Sequence, residues 1–293
     1  MARFGRVMTA MVTPFDANGE LDLDGAAKLA NWLVEQGNEG LVVAGTTGES
    51  PTLTHDEQVD LIRAVCQAVS VPVLAGAGSN DTRAAIELTE RATACGAAGI
   101  LSVTPYYNRP SQAGLAAHFR AVAAATDLPI VLYDIPVRTG RKIDSATILE
   151  LAHDVPNIVG VKDAAGDPAK TAALIAAAPE GFEVYSGDDA LTLPLLAVGA
   201  VGVIGVATHW AAREMREMID AFEAGDVQRA RAINAKLIPS YAFETGDRAP
   251  NPIPTKAMMK VLGKPGGDCR PPMGPEPDDL QARAREILAE LGR

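Results

Sequence analysis

The chain has 293 residues and a formal net charge of -11, and 47% of its residues are hydrophobic while 22% are charged. This length and balance fit one main domain with a large core and an appendage, and they exclude a disordered or fibrous chain. Because the chain is acidic and has no run of Lys or Arg, nucleic acid is not expected as a partner.

The cysteines and the N-terminal segment bear on where the protein works. Cys66, Cys95 and Cys269 are widely spaced and never form a C-x-x-C pair, so we expect neither a disulfide framework nor a zinc site. The N-terminal residues show no export signal, and no stretch approaches the roughly 18 apolar residues that a membrane span needs. We therefore predict a cytoplasmic protein without a membrane partner.

Apolar, β-branched runs alternate regularly with longer Ala- and Leu-rich segments of helical spacing as far as Ala207. The segment 24–36, for example, places Ala26, Leu29 and Leu33 on one helical face. The predicted strands are 7–15, 40–47, 72–78, 99–105, 129–136, 158–164, 182–188 and 202–207. Eight βα units predict a (β/α)8 TIM barrel. An open doubly wound sheet is the alternative, but no G-x-G-x-x-G follows the first strand.

The chain after Ala207 shows helical patterns only, at 211–224, 227–245, 254–262 and 277–291. We predict a barrel over residues 1–226 and a C-terminal helical appendage over residues 227–293. The Gly- and Pro-rich segment 263–277 is expected to be an ordered surface loop.

Active sites of such barrels lie at the carboxyl ends of the strands, where this sequence places several polar residues. Lys162 interrupts the apolar run 158–161, where an ammonium ion would lose most of its hydration. Desolvation favours the neutral amine, which is the nucleophilic form of lysine. A second interpretation is equally open at this point: Lys162 could pair with Asp163 or Asp188, or extend to the barrel rim.

Other polar residues at the predicted strand ends also allow two interpretations. Backbone N–H groups and hydroxyls of the turn 45–48 could bind a small carboxylate, or the hydroxyls could cap a helix starting near His55. Tyr133 could transfer protons or be a core residue with a satisfied hydroxyl. The four histidines, at positions 55, 118, 153 and 209, form no ligand motif, so no metal is predicted and each is expected to be a surface or packing residue.

Six segments together resemble a known superfamily across nearly the whole chain, and their order and spacing are specific. They are 45–50, 106–110, 132–136, 160–163, 185–188 and 251–254. The pattern resembles the dihydrodipicolinate synthase and N-acetylneuraminate lyase superfamily of pyruvate-dependent aldolases, which form a Schiff base with a lysine. Asp134 departs from the pattern, which more often has Asn there. It follows Tyr133 and should point away from the site.

The resemblance implies a role for each matching residue, and no metal or organic cofactor. Lys162 would form the imine with pyruvate, Thr47 would bind the pyruvate carboxylate, and Gly187 and Ile204 would line the site through their carbonyls. The implied proton relay consists of Tyr133, Thr46 and Tyr107. Tyr107 would come from a neighbouring subunit, and the implied assembly is a homotetramer built as a dimer of dimers.

Arg138 favours the dihydrodipicolinate synthase branch, because it matches the arginine that binds the carboxylate of the second substrate, aspartate 4-semialdehyde. The implied product is 4-hydroxy-tetrahydrodipicolinate, an intermediate toward diaminopimelate and lysine. The closest alternative is another pyruvate aldolase, a lyase of N-acetylneuraminate or of a 2-keto-3-deoxy sugar acid. A third interpretation is a barrel that has lost its activity and serves as a ligand sensor or scaffold. The intact site residues argue against it.

Many relatives bind lysine as a feedback effector in a cleft between two subunits, and this cleft is only partly matched here. The matching residues are Ser50, His55, Asn80 and Tyr106, whereas Pro51, Gln58 and Ala84 replace the alanine, histidine and glutamate of the lysine-sensitive pattern. Asp81 could partly supply the missing carboxylate if the helix has already begun there. We expect poor inhibition by lysine.

Overall fold

The continuous apolar runs become eight parallel strands, which the computed structural model, describing residues 2–293, closes into a barrel in sequence order. β1 pairs with β8, with Met8 opposite Ile204, and this pairing completes the ring. The strands are β1 (Val7–Ala10), β2 (Gly40–Val43), β3 (Val73–Gly76), β4 (Gly99–Val103), β5 (Ile130–Asp134), β6 (Ile158–Asp163), β7 (Glu183–Ser186) and β8 (Gly202–Gly205). The predicted TIM barrel is confirmed.

Both faces of the strands are covered, which explains why the runs lack a two-residue alternation of apolar and polar side chains. Successive side chains point to opposite faces. Met8 therefore lies in the barrel interior, whereas Val7 packs against the outer helices. The buried residues of the interior are Phe4, Met8, Ala10, Val42, Leu74, Leu101, Val131, Tyr133, Ile135, Tyr185 and Ile204.

The helices surround the barrel and continue into a helical C-terminal segment. They are α1 (Leu23–Glu35), α2 (His55–Ala68), α3 (Thr82–Ala94), α4 (Gln112–Ala123), α5 (Pro136–Thr139), α6 (Ser145–Asp154), α7 (Pro168–Ala177), α8 (Thr192–Leu196), α9 (Thr208–Glu223), α10 (Val227–Phe243), α11 (Ile253–Val261) and α12 (Leu280–Glu290). Within residues 2–293, no helix has the length and apolar character needed to cross a membrane.

Each predicted strand contains an observed strand but extends beyond it, mostly at the carboxyl end. The run 40–47 predicted one strand, for example, whereas β2 ends at Val43 and Ala44 already has φ = 57°. A residue with positive φ cannot continue a strand. The residues beyond the strands form the loops that carry the candidate site.

The C-terminal helices pack on the last barrel helix and on each other, with α10 against α9 and α11 against α12. The helix-only tail therefore agrees with the sequence pattern. We propose the domain boundary at residues 226 and 227, because Gly225, with φ = 82°, ends the connection after α9.

The loop 263–277 is tied to the barrel through Arg270. The Arg270 guanidinium donates to Glu57 Oε1 at 2.6 Å and to the carbonyl of Gly19 at 2.8 Å. Its charged centre also lies 4.2 Å from the centroid of the Phe15 ring. The predicted ordered surface loop thus fixes the chain segments that follow β1 and β2.

Candidate active site

Lys162 and Tyr133 lie side by side at the carboxyl end of the barrel. Lys162 is paired in register with Tyr133 of β5 on one side and with Tyr185 of β7 on the other. Only 4% of Lys162 and 5% of Tyr133 is exposed. The Lys162 Nζ atom lies 4.4 Å from the centroid of the Tyr133 ring. A buried amine and a phenol therefore share one small region.

The acids that could have paired with Lys162 are engaged elsewhere. Asp163 Oδ2 accepts a hydrogen bond from Thr171 Oγ1 at 2.6 Å, and Asp188 Oδ1 accepts one from the Ala190 N–H at 2.9 Å. Among residues 2–293, no carboxylate oxygen lies within 4.0 Å of Lys162 Nζ, whereas the buried Lys256 pairs with Glu49 at 2.6 Å. Lys162 thus lacks the counter-ion of a structural lysine, as a nucleophilic amine requires.

The absence of a side chain at Gly187 leaves space for the side chain of Lys162. A Cβ atom at position 187 would lie 3.0 Å from Lys162 Cγ, 3.1 Å from Lys162 Cε and 2.9 Å from Ala164 Cβ. The Gly187 N–H donates to the Asp163 carbonyl at 2.7 Å, which keeps this backbone close to β6. Ile204 lies in the barrel interior on β8. Both residues predicted to line the site are therefore part of the barrel end that holds Lys162.

The turn that follows β2 carries Thr46 and Thr47 and is fixed by several hydrogen bonds. The Glu49 N–H donates to the Thr46 carbonyl at 3.1 Å, and Thr13 Oγ1 donates to the Gly48 carbonyl at 2.5 Å. Thr46 is half-buried and Thr47 is buried. The alternative interpretation, that the hydroxyls of this turn cap α2, is wrong, because Thr54 and Glu57 form the capping box of that helix.

Asn251 connects this turn to the C-terminal segment, a role that the sequence did not predict. Its Nδ2 donates to Thr47 Oγ1 at 2.9 Å, and its Oδ1 accepts from Thr255 Oγ1 at 3.1 Å. Its carbonyl accepts a hydrogen bond from Arg138 Nη2 at 3.4 Å. Asn251 belongs to a segment that matched the superfamily, and this match was the only signal in the sequence. The contact spans 204 positions, so no local pattern could have revealed it.

Tyr107 and Arg138 lie at the rim and are exposed to solvent. Tyr107 is 91% exposed and has φ = 71°, so the loop after β4 presents the whole side chain outward. Arg138 is exposed on α5, which directly follows β5. The structure therefore brings Lys162 and Tyr133 together, whereas the Tyr107 side chain extends into solvent.

Burial shifts the pKa of several polar groups of the barrel. Burial raises the pKa of Asp134, while the ion pair with Lys142 Nζ at 2.8 Å opposes this shift. Asp134 thus faces Lys142, away from the site, as predicted. Burial lowers the pKa of His118 to about 4 and that of His209 to about 4. Both histidines are therefore neutral packing residues near neutral pH.

The residues of the predicted effector cleft lie on neighbouring loops at this end of the barrel. Ser50 begins a short 3-10 helix, His55 begins α2, and the Asn80 carbonyl accepts a hydrogen bond from Asn108 Nδ2 at 2.8 Å. This bond links Asn80 to the loop that carries Tyr106. All four cleft residues are half-buried.

Asp81 does not take the position that would let it replace the missing glutamate. It is the N-cap of α3, and its Oδ1 accepts a hydrogen bond from the Arg83 N–H at 3.0 Å. Its carboxylate is therefore used by the helix end, and Ala84 lies in the first turn beyond it. The condition under which Asp81 would share a helical face with Ala84 is therefore not met, because α3 begins at Thr82.

Comparisons with known proteins agree along the whole chain. The model of the "Dihydrodipicolinate synthetase family" matches residues 3–291. A 4-hydroxy-tetrahydrodipicolinate synthase from Moorella thermoacetica is 51% identical over 294 residues, which cover 99% of each chain. The dihydrodipicolinate synthase from Cyanidioschyzon merolae with lysine bound has a TM-score of 0.95 and 43% identity, over 100% of this chain and 99% of that chain.

A further solved structure is that of a monomeric dihydrodipicolinate synthase variant. It superimposes with a TM-score of 0.94 at 37% identity and covers 99% of this chain and 97% of the variant. The fold of a single subunit is therefore the same in this monomeric relative.

Proposed function

This chain belongs to the dihydrodipicolinate synthetase family, and from this premise we propose how its residues carry out the reaction of the family. The protein is a lyase that condenses pyruvate with L-aspartate 4-semialdehyde to 4-hydroxy-tetrahydrodipicolinate, in the biosynthesis of diaminopimelate and lysine. The observation that carries the mechanism is the buried Lys162, which has no carboxylate partner among residues 2–293 and whose Nζ lies 4.4 Å from the centroid of the Tyr133 ring.

The first half of the reaction uses the amine of Lys162 as the nucleophile. It attacks the keto carbon of pyruvate, and loss of water leaves a positively charged imine. The imine withdraws electrons from the adjacent methyl group, so that a proton leaves this carbon and an enamine forms. The enamine carbon then attacks the aldehyde carbon of the semialdehyde. Attack of the substrate's own amino group on the imine carbon closes the ring and releases Lys162.

Tyr133, Thr46 and Tyr107 are the proposed proton relay. The Tyr133 ring lies beside the Lys162 amine, which supports a role of its hydroxyl in exchanging protons with the water that leaves and with the attacked aldehyde oxygen. Thr46 lies on the turn beside the site, and its side chain is half-buried. Tyr107 completes the relay only when a second subunit supplies it.

Two carboxylate contacts are proposed to orient the substrates. Thr47 would hold the pyruvate carboxylate together with the N–H groups of its turn, and Asn251 fixes the Thr47 hydroxyl at 2.9 Å. Arg138 would bind the carboxylate of the semialdehyde through a charge-assisted, bidentate contact. Gly187 and Ile204 would line the site between these contacts.

We also propose an assembly and a location. The nearly complete exposure of Tyr107 supports docking of its loop against a second copy, in a homotetramer built as a dimer of dimers. The free thiols of Cys66, Cys95 and Cys269 fit a reducing compartment, and we propose the cytoplasm.

The choice of aldehyde tests this function against the sugar-acid lyases. We expect pyruvate to condense faster with aspartate 4-semialdehyde than with sugar aldehydes. Arg138→Ala should lower kcat/KM for the semialdehyde roughly ten- to 150-fold, because a charge-assisted contact is lost. It should spare imine formation with pyruvate.

The matched control for this assay is Arg63→Ala. Arg63 lies on α2 and pairs with Asp60 on the outside of the barrel, so the same change there should leave kcat/KM close to that of the wild type. Faster turnover of sugar aldehydes would contradict the assignment. If Arg138→Ala weakened imine formation with pyruvate as much as it lowers kcat/KM for the semialdehyde, the proposed role of Arg138 would be contradicted.

A further inference from the structure

Two buried carboxyl groups, Asp189 and Glu244, lie side by side behind the barrel end. Asp189 begins the short 3-10 helix that follows β7, and Glu244 directly follows α10. They are 1% and 9% exposed. Asp189 Oδ2 accepts a hydrogen bond from the Val206 N–H at 2.8 Å, and Glu244 Oε2 accepts one from the Ala207 N–H at 3.0 Å. Consecutive backbone donors therefore hold the two carboxyls together.

One oxygen of this pair lacks a donor. Asp189 Oδ1 is buried and makes no hydrogen bond with residues 2–293. A Cβ atom at Gly205 would lie 2.3 Å from this oxygen, so the glycine leaves the carboxyl its space. Two buried carboxylates in contact cannot both stay ionised, because each charge loses its hydration and repels the other. A proton held between them would supply the missing donor.

The surrounding charges support a single shared proton near neutral pH. Burial raises the pKa of Asp189 to about 6, and burial raises the pKa of Glu244 well above its usual range. The charged and titratable groups that act on the pair are Asp188, Lys162 and Tyr241. Lys162 is the cation among them, and its charge opposes protonation of Asp189.

The pair is coupled to Lys162 through the chain segment that packs on it. Gly187 lies along the Lys162 methylene groups, at 3.0 and 3.1 Å for a Cβ atom placed there, and Asp189 follows two residues later. Lys162 itself has no carboxylate partner within 4.0 Å among the described residues. The attraction between Lys162 and Asp189 thus makes a negative charge on this pair one source of compensation for a positive charge at Lys162.

We propose that Asp189 and Glu244 share one proton, and that their single negative charge stabilises the positively charged imine of Lys162. The proposal rests on the proposed function and assigns both acids as positioning residues that act through Lys162. A second negative charge would stabilise the ammonium form, which cannot attack pyruvate. Without any charge, the buried imine would have no compensation.

Amide substitutions distinguish a pair that stabilises the imine by its charge from a pair that only supports the fold. In Asp189→Asn or Glu244→Gln, the amide donates to the remaining carboxylate, so one negative charge is kept. Each single variant should weaken pyruvate imine formation by no more than about threefold. The double variant keeps the shape but carries no charge, and it should weaken imine formation by about tenfold or more, because the attraction between two charges in a protein interior is lost.

The pH dependence has a defined sign. As the pH falls through about 6, the pair takes up a second proton at Asp189 and becomes neutral, so that the imine of the wild type should lose stability. The double variant should lack this step. Tyr241→Phe is the matched control, because it removes a buried hydroxyl beside the pair and leaves the charges unchanged. It should follow the wild-type profile.

A spectroscopic measurement keeps the test decisive even if the double variant fails to fold. The infrared difference between the wild type and Glu244→Gln at pH 8 should contain the C=O stretch of a protonated carboxylic acid. Absence of this band, additive losses in the single variants, or an unaltered double variant would each overturn the proposal. If the wild type itself formed no pyruvate adduct on Lys162, the proposed function would fail instead.

Discussion

At the scale of single residues, Tyr107 is the side chain on which the proposed association of subunits depends most. It is 91% exposed and is held outward by a left-handed backbone conformation at φ = 71°. A large aromatic side chain in such a position loses hydration only when another surface covers it. Its proposed function in the relay therefore requires association.

Tyr107→Phe should lower kcat by about a hundredfold while the melting temperature stays near that of the wild type, because only a proton-transferring hydroxyl is removed. Steady-state kinetics and thermal unfolding check this. Mixing Tyr107→Phe with Lys162→Ala should restore activity, since a mixed pair contains one site with an intact Lys162 and an intact Tyr107 from the other subunit. No recovery in mixed oligomers would show that Tyr107 serves its own subunit.

Lys162 was conspicuous in the sequence, although its role as nucleophile came only from the resemblance, whereas Asn251, Asp189 and Glu244 could not be assigned a role. A charged residue within an apolar strand is a local anomaly, and the pattern alone reveals it. Asn251 and Glu244 act through contacts with Thr47 and Ala207, which are 204 and 37 positions away in the chain. Such contacts depend on how the appendage packs on the barrel, and no periodicity encodes that.

At the scale of elements, strand starts were predicted better than strand ends. The apolar run 158–164 gave β6 to within one residue, because its side chains are buried on both faces. Strands ended early where loops turn into the site, as at Ala44. In these loops, backbone conformation depends on hydrogen bonds with distant segments, such as Thr13 Oγ1 to the Gly48 carbonyl.

The C-terminal elements do more than extend the barrel. Arg270 reaches Glu57 and the Gly19 carbonyl, and Lys256 pairs with Glu49 in the buried turn after β2. These contacts fix the turn that carries the two threonines of the site. The sequence predicted the helices of this segment, but their attachment to the site loops became visible only in the structure.

At the scale of the whole molecule, the proposed cleft between subunits bears on regulation by lysine. A dihydrodipicolinate synthase from Cyanidioschyzon merolae has been solved with lysine bound. The lysine-sensitive pattern described above is matched by this chain at four positions, but Ala84 replaces its glutamate. We do not expect Asp81 to substitute, because its Oδ1 accepts a hydrogen bond from the Arg83 N–H at the start of α3. We therefore expect half-inhibition at millimolar lysine or above.

Initial rates measured against lysine concentration test this expectation. Ala84→Glu should strengthen inhibition roughly ten- to 150-fold, because it restores a charged partner, whereas the matched Ala84→Gln should do so far less. Half-inhibition of the wild type well below millimolar would refute the prediction. An Ala84→Glu variant as insensitive as the wild type would show that the other differences, Pro51 and Gln58, also block the cleft.

The central claim for the whole molecule is that catalysis proceeds through an imine on Lys162. Borohydride reduction in the presence of pyruvate, followed by peptide mass mapping, tests it most directly, because reduction converts the imine into a stable adduct. We predict one pyruvate adduct, on the peptide that contains Lys162, and none in Lys162→Ala. An adduct on another lysine, or no adduct in the wild type, would contradict the account.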